Sequence, residues 1–184
     1  MQSEKLDSFT KDFPADFHLH YPANNQLKVS SSSSSEYDLY MKIMSEPASR
    51  IYSGVKKYEL RKYIPKHKGL LFLFETNGVK AVTGCFYFRD YIAKPIPELW
   101  SIVGEKATKK ERFDNYFQSK EFGVALIIED FQKFSKPITL NDMYRNFTGF
   151  PQLPHPYVYL YTPVGGALST FLRSHASEIL NRIS

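Results

Sequence analysis

Residues 54 to 61 read Gly-Val-Lys-Lys-Tyr-Glu-Leu-Arg, a G-x-K-x-x-E-x-R string. Gly54 can turn the backbone at no steric cost. If the residues from Tyr58 onward form a strand, Lys57, Glu59 and Arg61 share one face, and Tyr58 and Leu60 take the other. A carboxylate held between cations beside a glycine turn can set fixed charge against a ligand. Glu59 beside Lys56 also has the composition of a general base next to a polarising cation. The plainer reading of the same residues is a solvated edge strand with a surface ion pair, which contributes little.

The cations around the string widen the first reading. Lys56, Lys57, Arg61, Lys62, Lys66 and Lys68 make a dense basic stretch, interleaved with Tyr58 and Tyr63. Lysine and arginine neutralise phosphates, and aromatic rings stack on splayed bases. A second set, Lys106, Lys109, Lys110 and Arg112, opens a segment whose Thr108-x-x-Glu111 spacing is a capping-box pattern. Helix amides at such a start can meet a phosphate.

Other chemistries find little material. His18 and His20 stand two apart, and His67, His155 and His175 are isolated. Zinc needs a convergent set of ligands that this spacing does not offer, so no metal is expected. Cys85 falls within an apolar strand pattern, where a thiol stays protonated. No G-x-S-x-G elbow, phosphate loop or G-x-G-x-x-G turn occurs, and no cofactor is expected.

The elements that must position these residues are mostly strands. Leu70 to Phe74 is a short apolar run, Asn77-Gly78 a turn signal, and Val79 to Phe88 rich in β-branched and aromatic residues. Gly84 inside that run predicts a bulge or a close backbone approach. Gly123 to Glu129, Ile138 to Leu140 and Tyr157 to Tyr161 read as further strands. Phe113, Tyr116 and Phe117 ride on the capped helix. Leu39, Tyr40, Ile43 and Met44 recur at helical spacing, predicting a helix over 37–44, with a turn and second short helix over 45–53. Gly165-Gly166 is expected to break the chain before an amphipathic helix through Leu168, Phe171, Leu172, His175, Ile179 and Ile183.

Composition sets the bounds. With 184 residues, 42% of them hydrophobic, the chain suits one domain with extensions. Thirteen tyrosines and fifteen phenylalanines favour a β-rich domain. A net charge of +5 fits a polyanionic partner without demanding one. A single cysteine, no apolar run of membrane-spanning length and no signal-peptide core lead to the expectation of a cytoplasmic protein away from membranes. The serine run from Ser30 to Ser35 predicts a flexible arm.

The ordered segments behind the string carry a family likeness. Pro95-Ile96-Pro97-Glu98-Leu99-Trp100, Phe113-Asp114-Asn115-Tyr116-Phe117 and Lys136-Pro137-Ile138-Thr139-Leu140 follow it in turn. The succession over residues 45 to 161 resembles the ASCH domain family of the PUA-like superfamily, in its prokaryotic branch. The resemblance implies an α+β fold, a small β-barrel flanked by short helices, with a cleft beside the motif lined by Lys56, Glu59 and Arg61 and a close backbone approach at Gly54. It also implies RNA binding. Some smaller relatives are amidohydrolases acting on acetylated cytidine, and others are linked to ribonuclease activity. In those hydrolases a threonine follows the motif lysine by three, whereas this chain has Glu59 there.

The sequence therefore leads to an RNA-binding module that recognises a nucleotide or modified base in a basic cleft. Gly54, Lys56, Lys57, Tyr58, Glu59 and Arg61 are its candidate binding residues. RNA is the expected partner, DNA the second choice, and a monomer the favoured state. The alternative is a small hydrolase, acting on an acylated nucleoside or as a ribonuclease, with Lys56 and Glu59 as candidate catalytic groups. The expected division is a flexible arm over 1–40, the domain over 41–161, and a C-terminal helix over 162–184 packed on the domain.

Overall fold

The computed structural model describes residues 38–65, 67–146, 157–160 and 163–183. The serine run, His18, His20, Lys66 and His155 lie outside the described residues. Fifteen elements follow in order among the described residues, beginning with β1 (Leu39–Ile43), α1 (Ser45–Tyr52), β2 (Tyr58–Arg61), β3 (Gly69–Glu75) and β4 (Ala81–Phe88). Next come β5 (Tyr91–Pro95), α2 (Ile96–Val103), a 3-10 turn (Gly104–Lys106), α3 (Lys110–Phe117), β6 (Phe122–Ile127) and β7 (Asp130–Thr139). The chain closes with α4 (Leu140–Asn146), β8 (Tyr157–Tyr159), α5 (Pro163–Ser174) and α6 (Ser177–Ile183).

The strands pair into two sheets, ordered β7-β4-β3-β1-β8 and β2-β6-β5. No described ladder joins the two, so the mixed α+β architecture is present, and the two described sheets are not closed into a barrel. β1 runs parallel to β3, and the other pairings are antiparallel.

The layering explains the apolar sequences. Leu70, Phe72 and Phe74 of β3 join Tyr40, Leu168, Leu172 and Ile179 in one core. Leu71 and Leu73 join Leu39, Met41, Ile51, Val124 and Leu126 in a second, between the sheets. A strand covered on both faces reads as an unbroken apolar run, and β3 does. A third core, on the outer face of the small sheet, holds Leu60, Leu99, Phe113, Phe117 and Ala125.

The segment read as a helix over 37–44 is strand β1 over Leu39–Ile43. Its apolar residues fit both periods, as in any short run. Pairing with β3 on one side and β8 on the other decides between them. The short helix after it forms, as α1. Gly84 sits at a register shift, and a Cβ there would lie 2.2 Å from the Gln132 carbonyl oxygen and 2.9 Å from the Tyr52 ring.

Helix α3 forms with its aromatic residues inward, but the Thr108 side chain makes no cap, because Lys109 is the N-cap residue. Gly165-Gly166 falls inside α5 rather than before it, since Pro163 opens the helix and fits its first position. The terminal helix is two, turning at His175 and Ala176.

Both helices are bound to the large sheet. Arg173 donates from Nε and NH2 to the two oxygens of buried Asp38, at 2.7 and 2.8 Å. Gln132 donates to the His175 carbonyl and accepts from the Ile179 amide, each at 3.0 Å.

Candidate nucleic-acid cleft

Glu59 and Arg61 stand on β2, where they pair with Leu126 and Val124 of β6. Leu126 and Val124 face the core between the sheets, whereas Ala125, the partner of Leu60, faces outward. Period two therefore turns the two charged side chains into the space between the sheets. Among the described residues β2 is an edge strand of its sheet, so they stand at the margin of that space. Lys56, just before the strand, joins them. Lys56 is 5% exposed, Glu59 6% and Arg61 8%. Such ions are costly to bury unless paired.

They are paired. Glu59 Oε2 lies 3.3 Å from Lys56 Nζ, and Glu59 Oε1 lies 2.8 Å from Arg61 NH2. Lys56 Nζ also donates to the Ala107 carbonyl at 2.9 Å. Arg61 NH2 donates in addition to the Met41 sulfur. Arg61 Nε–H is buried and meets no acceptor among the described residues. Leaving such a donor unsatisfied costs about 1–3 kcal/mol, and more on a charged group.

The triad forms the floor of a cleft of about 440 Å3. That lies within the roughly 300–1,000 Å3 of ligand-sized clefts. Lys42 and Met44 edge one wall, and Thr108, Arg112, Asn115 and Tyr116 of the α3 region edge the other. Lys42 and Arg112 are exposed, and Arg112 pairs with Glu46 of α1 across the cleft. Burial pushes the Tyr116 hydroxyl above its ordinary pKa, although the Arg61 charge beside it acts the other way.

Three expected site residues do not line this cleft. Gly54 has φ of +71°, a value glycine adopts freely, so it makes the turn. A Cβ there would lie 3.7 Å from the Phe131 ring. Lys57 is exposed, and its amide donates to the Lys106 carbonyl at 2.8 Å. Tyr58 packs against the core of Leu60 and Phe113. Tyr63 is at the surface, with Lys120 Nζ 5.3 Å from its ring centroid. The sequence reading missed Lys42, Asn115 and Tyr116 as cleft residues. Tyr116 was visible as part of the F-D-x-Y-F helix, whereas Lys42 carries no local signal.

No three His, Cys, Asp or Glu side chains converge among the described residues. The Thr83 hydroxyl is buried and bonds to the Tyr52 hydroxyl at 2.8 Å. No described helix is long and apolar enough to cross a membrane.

An ASCH domain-containing ribonuclease from Zymomonas mobilis is 30% identical over 101 residues, which span 53% of this chain and 68% of that protein. The chain belongs to the ASCH domain family. The crystal structure of ASCH from Zymomonas mobilis superposes on this ASCH domain with a TM-score of 0.64 and 25% identity. It covers 72% of this chain and 94% of the other. A variant of that protein gives the same TM-score over 73% and 97% of the two chains. No family model matches the sequence.

Proposed function

We propose that this ASCH domain binds RNA, seating a nucleotide or modified base in the cleft above Lys56, Glu59 and Arg61. The buried triad at the floor of a cationic-rimmed cleft carries this reading. Glu59 holds the two floor cations in place, so their remaining donors meet a ligand without having to be ordered on binding. Lys42 and Arg112 at the rim supply charge for flanking phosphates. The ribonuclease relative acts on the same class of polymer by its name. Single-stranded RNA is the proposed partner, with DNA second.

The test is a low-salt titration of fluorescent single-stranded RNA, structured RNA and DNA, repeated after Lys42→Ala with Arg112→Ala. Both changes lie at the exposed rim, away from the floor. The double variant is expected to weaken RNA binding and to flatten the slope of log K against log salt by about 0.7 for each phosphate that is no longer neutralised. Wild-type protein that binds no RNA at low salt overturns the reading.

The ribonuclease relative supports a second reading, cleavage of RNA in the same cleft. Glu59 would take the 2′-hydroxyl proton, the 2′ oxygen would bond to phosphorus, and the 5′ oxygen would leave with a proton from solvent. Lys56 would polarise the phosphate. Binding ranks first because both Glu59 oxygens are already held by cations, and acting as a base requires one to be released. Mass spectrometry of the titration mixtures decides: cleavage lost in Glu59→Gln favours catalysis, and intact RNA favours binding alone.

A further inference from the structure

An ion pair joins the two walls of the cleft at its rim. Glu46 of α1 accepts from Arg112 NH1 of α3, and the two side chains are 51% and 53% exposed. Arg112 lines one wall, and Met44 and Pro47, the neighbours of Glu46 in the chain, line the other.

The walls have other ties. Arg50, one turn further along α1, donates to the Glu105 carbonyl at 2.7 Å. Lys56 donates to the Ala107 carbonyl at 2.9 Å. Both contacts hold the segment leading into α3 independently of Glu46 and Arg112.

The pair is also easy to open. Exposed ion pairs shift an equilibrium by a few-fold at most. Glu46 lies in the first turn of α1, where the helix dipole favours a carboxylate that has lost its cation. A guanidinium offers a phosphate the same fork of donors that it offers a carboxylate. Arg112 can therefore exchange one anion for the other.

We propose that Glu46 occupies the phosphate seat of Arg112 in the free protein, and that an RNA phosphate entering the cleft displaces it. The inference rests on the RNA-binding reading and adds to it the residue that competes with the ligand. Glu46 lowers the affinity for RNA and makes Arg112 selective, because a ligand that brings no anion to the rim leaves the pair closed.

The experiment measures binding of fluorescent tetrauridylate, at one low salt concentration, to wild type, Glu46→Gln, Arg112→Ala and the double variant. Glutamine keeps the length of the side chain and removes its charge. Cooperative thermal transitions close to that of wild type confirm that the variants are folded.

Glu46→Gln is expected to bind about two- to fivefold more tightly than wild type. The same change made on Arg112→Ala is expected to gain less, because the seat it would free is gone. An equal gain in both backgrounds makes Glu46 a general source of repulsion and overturns the competition. Unchanged or weaker binding by Glu46→Gln overturns it as well, and the RNA-binding reading stands if wild type still binds. Absence of binding by both wild type and Glu46→Gln removes the two readings together.

Discussion

Lys56 Nζ donates 2.9 Å to the main-chain carbonyl of Ala107, a residue 51 positions further along the chain. Arg50 donates to the neighbouring Glu105 carbonyl at 2.7 Å. The two cations hold the turn that leads into α3, and with it one wall of the cleft. The motif lysine therefore builds the site as well as facing it. Lys56→Ala leaves Glu59 with one cation and the Ala107 carbonyl without its donor. A loss of about 3 kcal/mol is expected, read as a lowered urea midpoint with unchanged slope. A midpoint equal to wild type would show that the lysine is not structural.

Gly84→Ala is expected to be among the most damaging single changes. The new Cβ would stand 2.2 Å from the Gln132 main-chain oxygen, which cannot move without breaking the β4–β7 ladder. Overpacking of this kind costs about 3 kcal/mol or more. The check is the thermal midpoint, together with amide exchange along β7. A variant as stable as wild type contradicts the packing.

Cys85 is expected to be inert in the folded protein. Burial pushes its thiol up to about 12, with the negative charges of Asp38 and Asp130 adding to the effect. Reaction with a thiol reagent at neutral pH should be slow and should rise with denaturant in step with unfolding. Fast labelling in native buffer would mean that β4 opens locally.

Asp130 sets a pH dependence. Burial raises its pKa, but hydrogen bonds from Arg182 and the Phe131 amide, with the Arg182 charge, outweigh that and leave it below the ordinary value. A carboxylate lowered on folding stabilises above its unfolded pKa of about 3.9 and loses that contribution as pH falls through the folded value. The pair is partly exposed, so its worth is within about 1 kcal/mol. The stability gap between wild type and Arg182→Ala should be constant from about pH 5 to 7 and close below about pH 4. A gap that persists in acid would assign the effect of Arg182 to packing.

Much of this architecture was legible in the residues. β3, β4, β6 and α3 follow from apolar runs, a turn at Asn77-Gly78 and helical spacing, because each is decided by its own sequence. β1 was not, since Leu39 to Ile43 fits both periods and only its neighbours in the sheet choose. β5 and most of β7 carry mixed residues that gain their form by pairing at sheet edges. The face shared by Glu59 and Arg61 followed from period two. Their burial did not, because it depends on one sheet being stacked over the other. Lys42 and Tyr116 reach the cleft from β1 and α3, a convergence that spacing within the chain does not encode.

The position of β2 has a consequence for how the molecule behaves in company. An edge strand presents unpaired amides and carbonyls that can accept a strand from another copy. Here that edge carries Glu59 and Arg61, charged and turned inward, and a strand arriving from outside would have to cover them. Inward charges at an edge are a recognised barrier to such growth. The ions that shape the cleft thus also disfavour the addition of a further strand along β2.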